Sequence, residues 1–220
     1  MQLAAEWVHT RKKVRRGLEK LMTMMRKAIW GSGIVLLAFA GLAAWHLWPA
    51  FSPPEHIEVG TSVGDQVPIR QELKNAQGET VTLESISGAS GTVLVMVRSA
   101  DWCPFCKIQL ADHADIGEEL AGKGYTLASL SYDEPEKLAE FSEGLERPFV
   151  MLSDTESAFI DAVGLRDPQY GEDHFAHGVP RASVLVLAPD GTIRNKLVSA
   201  DYRQRPSNDF VLGMIVESIQ

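Results

Sequence analysis

The clearest chemistry in the sequence belongs to two cysteines. Cys103 and Cys106 are the only cysteines among 220 residues, and Pro104 and Phe105 separate them in a Cys-x-x-Cys motif. At this spacing one thiolate can attack a disulfide or a peroxide, and the second thiol can resolve the intermediate. A disulfide that closes so short a loop constrains little chain, so a purely structural role is the weaker explanation. The motif therefore predicts a redox protein.

The segments on either side of the motif indicate how the two thiols differ. The apolar run 92–97 predicts a buried strand, and Pro104 suits the first turn of a helix that follows it. At the start of that helix the Cys103 thiol would face unpaired N–H groups and the positive end of the helix dipole, which lower a thiol pKa. Cys106 lies one turn further on and should be more buried. We therefore expect Cys103 to attack and Cys106 to resolve.

The rest of the C-terminal part alternates between strand and helix patterns. It opens with a short hairpin and ends with a second hairpin, turning at Pro189–Gly191, and a last helix. This order predicts an α/β fold in which helices cover a mixed sheet. Predicted strands cover residues 67–73, 80–83, 92–97, 125–131, 149–152, 182–188 and 192–198, and predicted helices cover 104–121, 135–145, 155–163 and 208–219.

An uncharged segment near the N-terminus indicates a membrane anchor. Residues 28–48 contain no Asp, Glu, Lys or Arg over 21 positions, which as a helix just spans a bilayer core. Trp30, Trp45 and Trp48 lie towards its ends, at headgroup level. Eight Lys or Arg residues precede it, and none occurs in 50–69. We expect a single pass through the inner (cytoplasmic) membrane, with the N-terminus in the cytoplasm and the C-terminal domain in the periplasm or another extracytoplasmic space.

Two other interpretations of the N-terminus stay open. The small residues Ala38 and Ala40 would suit a signal-peptide cleavage site. Cleavage there, however, would not explain why the apolar run continues to Trp48. Translation could instead begin at Met24 or Met25.

The charge of the C-terminal part limits its partners. This part is long enough for one hydrophobic core and carries twice as many acidic as basic side chains. Such a domain should not bind nucleic acid or an anionic membrane surface by electrostatics. The expected organisation is a basic amphipathic cytoplasmic segment over 1–27, a transmembrane helix over 28–48, a linker over 49–56 and the acidic domain over 57–220.

Around the cysteines the chain resembles a thioredoxin-fold active site, in which Trp-Cys-x-x-Cys follows an apolar strand. From Val67 to about Ile219 it is similar to the peroxiredoxin-like branch, the alkyl hydroperoxide reductase/thiol-specific antioxidant or redoxin type. This resemblance implies a thioredoxin-like mixed sheet flanked by helices. The segments that carry it are Trp102-Cys-Pro-Phe-Cys106, Gly64-Asp-Gln-Val-Pro68, Gly78-Glu-Thr-Val-Thr-Leu83, Leu130-Ser-Tyr-Asp133, Leu152-Ser-Asp154 and Val186-Leu-Ala-Pro-Asp-Gly191.

The resemblance also implies roles for residues outside the motif. Pro180 would be the cis-proline that faces the cysteines and shapes the docking surface, with Trp102 and Phe105 beside it. Arg181 would help to bind peroxide and stabilise the thiolate, which a guanidinium near Cys103 would do physically. The alternative for Arg181 is an ordinary salt bridge.

Two positions depart from the peroxiredoxin pattern. Peroxiredoxins carry a proline seven residues, and a threonine or serine three residues, before the peroxidatic cysteine, and here these are Met96 and Ala100. Only Ser99 could replace the missing hydroxyl. Thioredoxin keeps a buried acid in the preceding strand, and residues 93–97 contain none. We therefore predict a membrane-anchored thiol–disulfide oxidoreductase, with a thiol-dependent peroxidase as the alternative.

Two further functions are alternatives to thiol redox chemistry. His174 and His177 precede Pro180, so His177 and two thiolates could bind copper, as in thioredoxin-fold copper chaperones, although those space their cysteines differently. The second is a non-enzymatic interaction module in which the disulfide only links two neighbouring residues. For the oxidoreductase no organic cofactor is expected. Its partners would be protein thiols or disulfides, or hydroperoxides, together with an electron-donor or acceptor protein.

Overall fold

The computed structural model describes residues 40–43, 45 and 53–218. Residues 40–43 and 45 are helical. The rest of the predicted transmembrane segment 28–48 and all of the basic segment 1–27 lie outside the described residues. Within the part of the chain that is described, no helix has the length and apolar character needed to cross a bilayer.

The C-terminal part forms one seven-stranded sheet with helices on both faces, which confirms the predicted α/β class. The strands lie in the order β2-β1-β5-β4-β3-β6-β7. The elements are β1 (Leu73–Asn75), β2 (Thr80–Val81), α1 (Leu83–Ile86), β3 (Gly91–Met96), α2 (Pro104–Ala114), α3 (Gly117–Gly122), β4 (Tyr125–Ser131), α4 (Pro135–Glu143), β5 (Val150–Ser153), α5 (Ala158–Ala162), β6 (Ser183–Leu187), β7 (Ile193–Val198) and α6 (Asn208–Glu217).

The position of β3 in the centre of the sheet accounts for its apolar sequence. It pairs in parallel with β4 and antiparallel with β6, so both its edges are occupied. Successive side chains point to opposite faces of a sheet, and here both faces are covered. Val93 and Val95 belong to the same core cluster as Cys103, whereas Met96 packs in the cluster on the other face. Met96 is therefore a core residue and not part of the cysteine surroundings.

The predicted helix 104–121 is two helices in the structure. It is interrupted at Asp115 and Ile116, whose N–H groups bond to carbonyls only three residues earlier, Asp112 and His113. The resulting bend lets Ile116 pack into the core. The chain then resumes as α3 at Gly117.

Other element boundaries also differ from the prediction. The first strand of the opening hairpin was predicted over 67–73 but lies at Leu73–Asn75, so the two share one residue. The second strand is shorter than predicted, and α1 was not predicted. The helix predicted over 155–163 begins only at Ala158, because Ser157 has φ 57°, outside the helical range.

A glycine at the start of β3 is required for the sheet to form. Gly91 has φ 128°, and a Cβ atom there would overlap the carbonyl oxygen of Leu187 in β6. We expect Gly91→Ala to lower the free energy of unfolding by about 3 kcal/mol or more, because two backbones would have to separate. Gly213→Ala is the matched control, since that site in α6 has no neighbour within 4 Å. It should stabilise the helix by about 1 kcal/mol. Chemical denaturation of the two variants would measure both effects.

Candidate active site

The two cysteines form a disulfide at the N-terminus of α2. Cys103 is the N-cap residue with extended backbone (φ −94°, ψ 105°), Pro104 follows in the first turn, and the Cα atoms of the two cysteines are 5.3 Å apart. Both cysteines are buried, Cys103 with 1% of its surface exposed and Cys106 with none. The predicted placement after β3 and at a helix start is therefore observed, while in the disulfide state neither sulfur is openly exposed.

A buried carboxylate holds the loop that leads into the motif. Asp133, at the end of β4, accepts hydrogen bonds from Ser99 Oγ (2.7 Å), the Ala100 N–H (2.6 Å) and Ser131 Oγ (2.8 Å). Burial raises the pKa of Asp133, although these three hydrogen bonds act to lower it. Asp133 thus ties the end of β4 to the residues just before Cys103. It supplies a buried acid near the motif from a different strand than in thioredoxin.

The hydroxyl of Ser99 is fully used within this loop. It donates to Asp133 and accepts from the N–H groups of Asp101 (2.9 Å) and Trp102 (3.1 Å). Because its only proton points to Asp133, it has none to donate to a peroxide oxygen. Ser99 therefore shapes the loop and does not replace the hydroxyl that is missing at Ala100.

Aromatic rings and one arginine surround the disulfide. The Trp102 indole donates to the Tyr132 hydroxyl (3.1 Å) and meets Phe175 edge to face, with ring centroids 5.2 Å apart. The guanidinium of Arg98 lies 5.1 Å from the Trp102 ring centroid and 4.0 Å from that of Tyr202. Arg98 is buried. This arrangement fixes the Trp102 ring next to the motif and places a buried positive charge against that ring.

The arginine that touches a cysteine is Arg205. Its Nη2 lies 3.3 Å from Cys106 Sγ, and its Nη1 donates to Gln109 Oε1 at 3.2 Å. Burial, together with the neighbouring Arg98 guanidinium, lowers the pKa of Arg205 to about 9. Sequence reasoning missed Arg205 because it follows Cys106 by 99 positions, in a loop before α6 without a recognisable motif.

A chain of hydrogen bonds holds Gln109 in place. The Asn208 amide nitrogen donates to the Asp112 carbonyl, so its Oδ1 accepts from His113 Nδ1 at 2.8 Å. His113 Nε2 is then the acceptor for the Gln109 amide nitrogen at 3.2 Å. This assigns His113 as neutral with its proton on Nδ1. Gln109 is therefore oriented with its oxygen towards Arg205.

The neutral state of His113 has a consequence for stability. Burial lowers the pKa of His113 below its usual value of 6.5, so the folded state binds the proton less readily than the unfolded chain. The part of the unfolding free energy that depends on neutral, buried His113 is fully present above pH 6.5. It should be lost as the pH falls through the lowered pKa. In His113→Gln the unfolding free energy should fall less steeply as the pH drops below 6.5. Denaturant titrations at a series of pH values would measure this. An equally steep loss in the variant would contradict this.

The peptide bond before Pro180 differs from what the resemblance implied. No peptide bond among the described residues is cis, so Val179–Pro180 is trans. The segment is held extended by backbone pairing with Arg166, through the bonds from Asp167 N to Val179 O and from Arg181 N to Leu165 O. The expected cis-proline is therefore wrong.

The side chain of Arg181 lines an open cleft of about 480 Å³ together with Asp167, Asp201 and Tyr202. Tyr202 also contacts Arg98 and Phe105. The role expected of Arg181, stabilising the Cys103 thiolate, stays a prediction.

The two histidines of the copper hypothesis contact other residues. The two ring nitrogens of His177 lie within hydrogen-bond distance of Arg166 Nη1 (3.2 Å) and the Tyr170 carbonyl (3.1 Å). His174 stacks on Phe175 and accepts from the Ala176 N–H. Over residues 40–43, 45 and 53–218 no group of three or more His, Cys, Asp or Glu side chains is arranged to hold a metal ion.

Comparison with known proteins agrees with this geometry. The model of the AhpC/TSA family matches residues 63–196, more than half of the chain. The Haemophilus influenzae protein Bcp is 32% identical over 129 residues, covering 57% of this chain and 79% of the relative. Peroxiredoxin Bcp of Bacillus subtilis is 28% identical over 132 residues, covering 59% and 78%.

Among solved structures, peroxidoxin BcpB from Mycobacterium tuberculosis superposes with a TM-score of 0.60 at 18% identity, covering 74% of this chain and 97% of that one. This likeness shows the fold, a thioredoxin-like mixed sheet with flanking helices. The family match covers β1 to β7 apart from the last two residues of β7, and so includes the disulfide. The chain therefore belongs to the AhpC/TSA family and is an enzyme of thiol redox chemistry, a thiol–disulfide oxidoreductase or a peroxiredoxin-like peroxidase.

Proposed function

We propose that this enzyme is a thiol-dependent peroxidase in which Cys103 is oxidised by a hydroperoxide and Cys106 resolves the product. The alternative identified from the sequence thus becomes the leading function. Membership of the AhpC/TSA family and the peroxiredoxin relatives support it. The observation that carries it is the Cys103–Cys106 disulfide at the N-terminus of α2, a position that favours thiolate.

The proposed cycle has three balanced steps. The Cys103 thiolate attacks the distal oxygen of a hydroperoxide, the O–O bond breaks, and Cys103 becomes a sulfenic acid. The alkoxide or hydroxide that leaves takes up a proton from solvent and becomes the alcohol or water. The Cys106 thiolate then attacks Cys103 Sγ, and the hydroxyl leaves as water after taking up a proton. A dithiol reductant supplies two electrons and two protons and restores both thiols.

The disulfide geometry supports resolution within one turn of helix. In the disulfide state the Cα atoms are 5.3 Å apart, Cys103 is the N-cap and Cys106 lies in the first turn of α2. Both cysteines are buried in this state. We therefore expect the second step to require no unwinding of α2.

Thiol–disulfide exchange is the second candidate, and one observation favours it. Ala100 has no hydroxyl, and the Ser99 hydroxyl donates to Asp133, so neither side chain can polarise a peroxide O–O bond. Exchange needs no such donor. The same two cysteines would then pass a disulfide to or from a protein partner.

Two turnover assays on the full-length, detergent-solubilised protein separate the candidates. With dithiothreitol as reductant, a peroxidase consumes hydrogen peroxide or tert-butyl hydroperoxide well above the rate of dithiothreitol alone. An exchange enzyme instead accelerates reduction of the insulin disulfides and leaves peroxide consumption at the background rate. Rapid peroxide turnover supports the proposal, and exchange without peroxide turnover would overturn it.

We also propose that residues 28–48 anchor the domain in the inner membrane with the C-terminal domain outside the cytoplasm. The uncharged run, its tryptophans and the basic residues before it support this orientation. Protease added to spheroplasts should then digest the C-terminal domain. Protection until the cells are lysed, or an intact mass starting near Gly41, would contradict it.

A further inference from the structure

We infer that Arg205 stabilises the Cys106 thiolate and thereby makes Cys106 the sulfur that leaves when the disulfide is reduced. This inference rests on the proposed function, because it concerns the same two cysteines. It adds a catalytic residue that touches a reacting atom and a direction for the reductive step. The contact behind it is the 3.3 Å approach of Arg205 Nη2 to Cys106 Sγ.

The disulfide state leaves the Arg205 charge poorly compensated. Its Nε is buried and makes no hydrogen bond to any described residue. The charged groups that act on it are Arg98, which repels it, and Asp201, which attracts it. Asp201 is itself bound to Arg203 at 2.6 Å. A neutral disulfide at this place does little to offset the buried guanidinium.

Reduction changes this balance. When the S–S bond breaks, a thiolate on Cys106 would place a negative charge beside the guanidinium of Arg205 in a site with little water. Such a neighbour lowers a thiol pKa and stabilises the reduced form. Arg205 should therefore make the disulfide easier to reduce.

The same contact selects which sulfur is attacked. An incoming thiolate of a dithiol reductant forms a bond to one sulfur, and the electron pair of the broken S–S bond leaves on the other. A lower pKa of the leaving thiol speeds this step. Because Arg205 stands at Cys106 Sγ, the favoured path forms a mixed disulfide at Cys103 and releases the Cys106 thiolate. The reductant's second thiol then attacks the mixed disulfide and frees Cys103.

The surroundings hold Arg205 in position for this role. Gln109 accepts from Nη1, and neutral His113 fixes the orientation of Gln109. Gln109 and His113 are both buried and lie on α2, the helix that carries Cys106. They are positioning residues that act through Arg205.

The test is the pKa of Cys106 in the full-length Cys103→Ser protein, where it is the only thiol, followed by thiolate absorbance in the ultraviolet. Adding Arg205→Met should raise this pKa by about 1 to 3 units. The control Arg194→Met also removes one arginine, from an exposed site on β7, and should leave the pKa unchanged. Arg205→Lys keeps the positive charge but lacks the planar guanidinium, so it should give an intermediate Cys106 pKa. It also preserves the test if Arg205→Met fails to fold.

A second readout uses the intact cysteine pair. The equilibrium with reduced and oxidised glutathione should shift towards the protein disulfide in Arg205→Met by about tenfold for each unit of pKa change. Equal Cys106 pKa values with and without Arg205 would overturn the inference. Oxidation of Cys103 by peroxide in a Cys106→Ser protein is measured separately. If Cys103 is not oxidised but the Cys106 pKa changes as expected, the peroxidase proposal is wrong and the role of Arg205 is still supported.

Discussion

Replacing Cys103 by serine is expected to abolish peroxide turnover, whereas replacing Cys106 by serine should stop the reaction one step later. Without Cys103 the N-cap thiolate that attacks the O–O bond is missing, and Cys106, with none of its surface exposed, should not replace it. Without Cys106 the attack still occurs, and in the absence of added thiol the sulfenic acid on Cys103 accumulates because the chain has no second thiol to resolve it. Cys103→Ser should lose at least about a thousandfold in steady-state rate, as expected when a nucleophile is removed. Cys106→Ser should turn over only as fast as the added dithiothreitol reduces the sulfenic acid.

The two variants can be distinguished by their products. After one equivalent of hydrogen peroxide, Cys106→Ser should bind one dimedone per chain by intact mass, and Cys103→Ser should bind none. Excess peroxide should carry Cys106→Ser on to the sulfinic acid. If Cys103→Ser formed the dimedone adduct instead, the roles of the two cysteines would be reversed.

Asp133→Ala is expected to be the most damaging change outside the cysteines. It leaves the buried Ser99 hydroxyl, the Ala100 N–H and the Ser131 hydroxyl without their acceptor. Unsatisfied buried donors cost about 1 to 3 kcal/mol each, so we expect a loss of about 3 kcal/mol or more in unfolding free energy. The loop before Cys103 would also lose its tie to β4. Peroxide oxidation should therefore slow by about tenfold or more, even where the protein is folded.

Two matched variants separate these effects. Asp133→Asn keeps an acceptor for the Ala100 N–H and should lose much less stability. Asp154→Ala removes another buried carboxylate, but one that accepts from the Ile160 N–H at the start of α5. It should destabilise the fold without slowing the oxidation of Cys103. An equal slowing in Asp154→Ala and Asp133→Ala would show that lost stability, and not the cysteine loop, sets the rate.

The strands could be predicted from the sequence because burial on both faces leaves a plain signature. The predicted strand 125–131 coincides with β4, and the predicted strand 92–97 differs from β3 by one residue at each end. The helix boundaries were less predictable. The break near Ile116 follows from how that side chain reaches the core, which periodicity alone does not reveal.

The chemistry of the site was only partly visible in the sequence. The Cys-x-x-Cys spacing identified the reacting atoms, since it acts within one helical turn. Arg205 and Asp133 reach the motif from distant positions, and neither belongs to a pattern that spacing could expose. The segment containing Asp133 did contribute to the family resemblance, but its role as the anchor of the cysteine loop became clear only from its hydrogen bonds.

Pro180 shows the limit of a resemblance. The thioredoxin pattern implied a cis bond, and the backbone pairing of its neighbours with Leu165 and Asp167 holds a trans bond instead. A motif transfers the identity of a residue more reliably than its conformation.

The most direct test of the account is a single-turnover oxidation. The fully reduced full-length protein is mixed with hydrogen peroxide in a stopped-flow instrument, and tryptophan fluorescence is followed because Trp102 adjoins Cys103. A peroxidase should show a second-order rate constant orders of magnitude above that of glutathione at the same pH, with Cys103→Ser at the background. Oxidation of the native protein no faster than glutathione, alongside rapid reaction with a protein disulfide, would contradict the peroxidase assignment and identify an exchange enzyme.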